Sequence, residues 1–121
     1  MPGKKVWYIP DGFMNHTENG NFVSHEAICV LNTLSEDAHV RLTFYFEDRA
    51  PLRGFLITVG AERTNHIRLD KIVNDAGQRV PYDTPYAVRV ESDLPVVIQH
   101  SRMDVSQPAM TLMTTIAFSE D

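Results

Sequence analysis

The chain has 121 residues, 43% of them hydrophobic, with a net charge of −5 and a pI near 5.4. One ordinary core fits that length, and the acidic balance argues against sequence-independent nucleic-acid binding and against docking on an anionic bilayer by charge. No run approaches the ~20 apolar residues of a membrane span, no apolar stretch of signal-peptide type follows Lys4 and Lys5, and the lone cysteine, Cys29, excludes an intrachain disulfide. The expectation is one cytoplasmic, soluble domain over residues 1–121 without membrane insertion.

The dominant hydrophobic period is two, which predicts strands along the whole chain. Lys4 to Ile9 comes first. The connection from Pro10 to Asn21 is the longest, and long connections often carry function. His25 to Asn32 follows; its apolar run from Ala27 to Leu31 makes Cys29 a small buried hydrophobe rather than a reactive thiol, which needs an exposed, electropositive setting. In Ala38 to Glu47, the apolar residues Val40, Leu42, Phe44 and Phe46 alternate with Arg41, Thr43, Tyr45 and Glu47, so one face is dry and the other wet.

After the break at Asp48-Arg49-Ala50-Pro51, Gly54 to Val59 places Phe55, Ile57 and Val59 on one side. Arg63 to Leu69 turns Ile67 and Leu69 one way and Thr64, His66 and Arg68 the other. Asp70 to Asn74 reads as a single helical turn, and Asp75 to Gln78 and Pro81 to Pro85 as turns or irregular chain. Tyr86 to Glu91 alternates, Ser92-Asp93-Leu94-Pro95 breaks the pattern, and Val96 to Arg102 resumes it. Ala109 to Phe118 is the last strand. About eight short strands without a long amphipathic helix predict an all-β antiparallel sandwich or barrel.

Three segments do not alternate cleanly. Val96 and Ile98 share a side with His100 and Arg102. His25 shares one with Ala27, Cys29 and Leu31. Leu112 shares one with Met110, Thr114, Ile116 and Phe118, while Met113 and Ala117 lie opposite. A strand that is apolar on both faces needs cover from a partner sheet or a neighbouring chain, which points to an oligomer.

The polar residues concentrate in Ser24-His25-Glu26, in Arg63 to Arg68 and in Gln99 to Asp104. A polar group taken from water without a hydrogen bond costs roughly 1–3 kcal/mol, so these segments either satisfy one another or face a ligand or another chain. The candidate set is His25, Glu26, Arg63, His66, Arg68, Gln99, His100, Arg102 and Asp104. His25, His66 and His100 come from three strands, and three imidazoles suit zinc. Yet no local ligand spacing is present, and Arg63, Arg68 and Arg102 disfavour a cation, so no metal and no cofactor is expected.

Ser24, His25 and Glu26 are adjacent on a strand and cannot converge as a hydrolytic triad, and no Gly-x-Ser-x-Gly elbow exists; no catalytic residue is assigned. Trp7, Tyr8, Tyr45, Tyr82 and Tyr86 could stack on sugar rings, or they are ordinary core and interface aromatics. The arginines have Glu26, Asp70 and Asp104 as available partners, and buried pairs of that kind contribute to register and partner choice more than to net stability.

Several stretches resemble the sensory rhodopsin transducer family: Phe22-Val23-Ser24-His25-Glu26, Ile28 to Asn32, Glu36 to Val40, Thr58-Val59, Arg63-Thr64, His66-Ile67-Arg68, Pro81 to Thr84, and Pro95 to Asp104. The similarity is collinear over about residues 6 to 118. The resemblance implies a β-sandwich of jelly-roll-like topology, a cytoplasmic homotetramer, and a signalling or interaction role rather than catalysis. It also implies a membrane photoreceptor or another signalling protein as partner. It carries over no catalytic residues. The competing reading from the residues is a small-molecule or carbohydrate-binding sandwich module, with or without a metal.

Overall fold

The computed structural model describes residues 2–16, 18–19, 22–106 and 111–120. The described residues form ten strands: β1 Lys4–Gly12, β2 Glu18–Asn19, β3 Phe22–Val23, β4 His25–Asn32, β5 Ala38–Phe46, β6 Leu52–Val59, β7 Arg63–Arg68, β8 Tyr86–Asp104, β9 Thr111–Ile116 and β10 Phe118–Glu120. Every strand pairing is antiparallel, and the eight main strands form the expected all-β sandwich. One layer runs β10-β1-β8-β5-β6 and the other β9-β8-β4-β7.

β8 belongs to both layers. Its first part, Tyr86 to Ser92, lies between β1 and β5. Its second part, from Val97 onward, lies beside β4, and β9 joins on its other side from Gln99. The sequence predicted two strands broken at Ser92 to Pro95; the structure has one 19-residue strand. Where β8 passes Pro95, its register against β1 jumps from Val6↔Glu91 to Lys4↔Val96. Proline has no N–H to give a ladder, but a bulge tolerates it, and a bulge is how one strand bends from layer to layer.

Three further expectations shift. Asp70 to Asn74 contains no helical turn; a hydrogen bond from Lys71 N to Arg68 O closes a simple turn, and Val73 then bridges Arg79. The long connection after Pro10 is partly strand, since β1 continues to Gly12 and β2 pairs β3. The final predicted strand is two strands, β9 and β10, and its first residues, Ala109 and Met110, lie outside the described residues.

The apolar face of β5 is realised as predicted, with Val40, Leu42 and Phe44 buried and Phe46 half-buried at the margin, but Thr43, expected on the wet face, is buried as well. Phe44 meets Phe55 edge-on at 5.1 Å and Tyr86 at 5.4 Å. Ile28, Val30, Ile67, Val88, Val90 and Ile98 also belong to the interior. Each such side chain contributes roughly 1.5–3 kcal/mol on burial. Cys29 is half-buried rather than fully buried, because the odd positions of β4 face outward; its thiol is held above the ordinary range by burial, against a lowering hydrogen bond with Ser101.

Candidate functional site

Glu26 is fully buried on the inward face of β4. The antiparallel register sets it directly opposite Arg102 and sets Ile28 opposite His100, so His100 is the diagonal neighbour of Glu26 on the same face. Tyr86 enters from the first part of β8, beneath Gly12. The Glu26 carboxylate accepts four hydrogen bonds. Its Oε1 takes the Tyr86 hydroxyl and, at 3.1 Å, His100 Nε2. Its Oε2 takes Phe13 N at 3.0 Å and Arg102 Nε at 2.5 Å. The acceptor capacity of a carboxylate is about four bonds, so it is filled. Arg102 also reaches out to Asp11, whose carbonyl lies 3.4 Å and whose carboxylate lies 3.9 Å from Nη2. One carboxylate thus ties both parts of β8, β4 and the end of β1.

Burial alone would push the Glu26 carboxyl upward, but the bonds from His100, Tyr86, Phe13 N and Arg102 together hold it below its ordinary value of 4.5. Burial and the neighbouring Glu26 charge push the Tyr86 phenol far up, so it stays protonated as a donor. Burial lowers Arg102, but the bond and charge of Glu26, together with Asp11 and Tyr86, leave it above its ordinary value. This is an ion-pair clamp whose central carboxylate is saturated.

The other predicted residues are spread around it. His25 and His66 lie on the outward face, since His66 pairs with outward Cys29. His25 donates from Nδ1 to Val23 O at 2.9 Å. Gln99 is also outward and exposed. Arg68 makes a bidentate pair with Asp70 at 2.8 and 2.7 Å. Arg63 is exposed and donates to the carbonyls of Ala61 and Glu62 at 3.3 and 3.1 Å. Asp104 accepts from Asn15 at 3.2 Å and from Ser106 N at 2.8 Å.

With His25 and His66 outward and His100 inward, the three imidazoles cannot share an ion. Among the described residues no group of three or more His, Cys, Asp or Glu is placed to hold a metal. The aromatics also separate: Trp7 is buried and donates to the carbonyls of Lys4 and Val96, while Tyr82 is exposed. Sequence reasoning missed Tyr86, Phe13 N and Asp11 as members of the cluster. Gly12 is a local signal for Tyr86, since a side chain there would meet the ring, and it becomes readable only once β1 pairs with β8.

The lowered carboxyls give a pH expectation. Glu26 sits below 4.5 and Asp70 and Asp104 sit below 3.8 in the folded state, so their contributions are complete above the unfolded values and are lost as pH falls through the folded ones. The melting temperature is expected to be insensitive to these groups above about pH 5 and to fall on acidification below about pH 4.5. Glu26→Gln should flatten part of that slope. Calorimetry across pH checks it, and an identical slope in the variant would count against Glu26 as a titrating contributor.

A cleft of about 330 Å³ lies next to the clamp, bordered by Tyr8, Pro10 and Asp11 of β1 and by Met113, Ile116 and Phe118, with His100 also on its wall. No helix of the described residues is long and apolar enough to cross a membrane.

A sequence profile for the Anabaena sensory rhodopsin transducer matches residues 2–119. The crystal structure of Thermotoga maritima 1070 is similar with a TM-score of 0.89 and 40% identity, over 99% of this chain and 97% of that one. A structure of the Anabaena sensory rhodopsin transducer is similar with a TM-score of 0.75 and 38% identity, over 84% of this chain and 90% of that one. Comparison with curated proteins gives no match. A profile covering nearly the whole chain, together with two solved structures at this level of identity, places the chain: it belongs to the Anabaena sensory rhodopsin transducer family.

Proposed function

We propose that the chain acts without catalysis, as a cytoplasmic homo-oligomeric signalling or interaction protein whose copies meet through β9 and β10. The observation that carries this reading is the apolar surface there. Leu112, Met113, Ile116 and Phe118 are 68%, 43%, 62% and 69% exposed, and β9 is exposed along its whole length. Among the described residues β9 pairs only with β8, leaving its other edge open. An open edge carrying apolar side chains is a surface that proteins normally cover, and a second copy supplies both a matching strand and a matching apolar face. The resemblance supports a tetramer as the closed form. The name of the 38%-identical relative supports a membrane photoreceptor, or another signalling protein, as the onward partner.

Sedimentation velocity at micromolar concentration tests the assembly: an oligomer is expected, and Ile116→Glu with Phe118→Glu should shift it to monomer without loss of fold. A wild-type monomer would overturn the reading.

The cleft favours a second reading, a small-molecule or carbohydrate module. Its volume of about 330 Å³ is at the small end of ligand sites. It shares Met113, Ile116 and Phe118 with the apolar strip, so an occupant there would sit against the proposed interface. A metabolite and glycan thermal-shift screen tests it; absence of any shift would remove it.

A further inference from the structure

A second, larger cleft of about 640 Å³ lies at the far end of β5 and β6, between the 46–53 segment and the 74–81 loop. Its chemistry is unusual for a chain with net charge −5: Arg49, Arg53 and Arg79 all line it, against one carboxylate, Asp75. Arg49 is already neutralised, forked onto Asp48 at 2.9 and 3.2 Å and stacked 5.3 Å over the Phe46 ring. Arg53 and Arg79 form no ion pair with any carboxylate of the described residues.

The walls are well fixed. Asn74 donates to Arg53 O and to Gln78 Oε1, both at 2.8 Å, and its Oδ1 accepts from Ala76 N and Gln78 N. Asp75 N donates to Gly54 O at 3.1 Å. Gly54 has φ +89°, and a Cβ there would lie 2.5 Å from Asp75 Oδ1, so glycine is what lets the 74–79 turn close against β6. Val73 bridges Arg79 and holds the far wall. Arg53 and Arg79 are exposed residues on this braced frame, and each guanidinium is a planar fork of donors of the kind that matches an oxyanion.

We propose that this cleft binds a small phosphorylated molecule. The phosphate lies between Arg53 and Arg79, and Asp75 and Gln78 take hydrogen-bond donors at the other end of the ligand. Asp75 restricts the class: it repels a ligand charged negatively at both ends, and it accepts from a hydroxyl or amine. The volume fits a metabolite-sized molecule. The excess of acidic residues over the chain opposes a nucleic-acid strand, which would have to track a positive groove. The site is separate from the Glu26 clamp and from β9, and it does not depend on the assembly reading.

The test is titration calorimetry of the full chain with glycerol 3-phosphate, inorganic pyrophosphate, glycerol and a short single-stranded DNA, in wild type, Arg53→Ala/Arg79→Ala and Arg41→Ala. Saturable binding of glycerol 3-phosphate is expected, weaker binding of pyrophosphate, and none of glycerol. The double variant should lose affinity at least tenfold at an unchanged melting temperature, and Arg41→Ala should match wild type. Absence of saturable glycerol 3-phosphate binding at millimolar concentration would overturn the proposal. Equal affinity in the double variant would also overturn it, as would DNA binding tighter than glycerol 3-phosphate through the same two arginines.

Discussion

Glu26→Ala is expected to destabilise the fold by about 3–5 kcal/mol, the cost of removing one partner from a buried ion pair. For a chain of this size that is a fall of roughly 10–20 °C in melting temperature. Glu26 is the acceptor for four donors at once: the Tyr86 hydroxyl, His100 Nε2, Phe13 N and Arg102 Nε. Alanine leaves a half-buried cation and three further donors without their acceptor, and the one other carboxylate near Arg102, Asp11, is exposed and stands 3.9 Å from the outer edge of the guanidinium. Glu26→Gln should fall between the two, because it keeps one oxygen but turns an amide NH₂ toward a donor. Urea unfolding gives the free energies. A Glu26→Ala change below about 1 kcal/mol would show that the clamp is not structural.

Gly12→Ala is expected to cost about 3 kcal/mol, from overpacking and from the loss of a hydrogen bond to a charged group. A Cβ at residue 12 would lie 2.2 Å from Cε1 and 2.6 Å from Cζ of Tyr86. The ring has no easy retreat: its edge contact with Phe44 is at 5.4 Å and its hydroxyl is bound to Glu26. Moving it breaks the hydroxyl bond, so the two effects are coupled. In a Tyr86→Phe background there is no hydroxyl bond left to lose, and Gly12→Ala should then cost less by about 1 kcal/mol or more. A double-mutant cycle measures that coupling, and additivity within about 0.5 kcal/mol would show that Gly12 does not act through Tyr86.

Much of the strand pattern could be read directly. The bounds of β4 coincide with the segment His25 to Asn32, and β5 differs by a single residue. Pro95 misled, because a proline within an alternating run ordinarily ends a strand, whereas here it sits at the bulge that carries β8 between layers. For the polar set, Glu26, His100 and Arg102 are prominent as residue types in strands, but so are His25, His66, Gln99 and Arg63. What separates them is phase. Even-numbered residues of β4 point inward, and the register aligns them with His100 and Arg102, while His66 pairs with outward Cys29. Tyr86 looked like any aromatic of a half-buried strand, since its partner lies 60 residues away.

Alternation of side chains is a local property of extended backbone, so the sequence alone determined an all-β chain, the core face of β5, β6 and β7 and the presence of polar residues in need of partners. Pairing is not local. Only the tertiary structure decided that Tyr86 to Asp104 is one strand shared by two layers, and that Glu26 gathers Tyr86, His100 and Arg102 around one buried carboxylate. It also decided that the apolar side chains of β9 and β10 stand in solvent. Each of these depends on which strand lies beside which and in what register, and a one-residue slip would turn every one of those side chains to the opposite face.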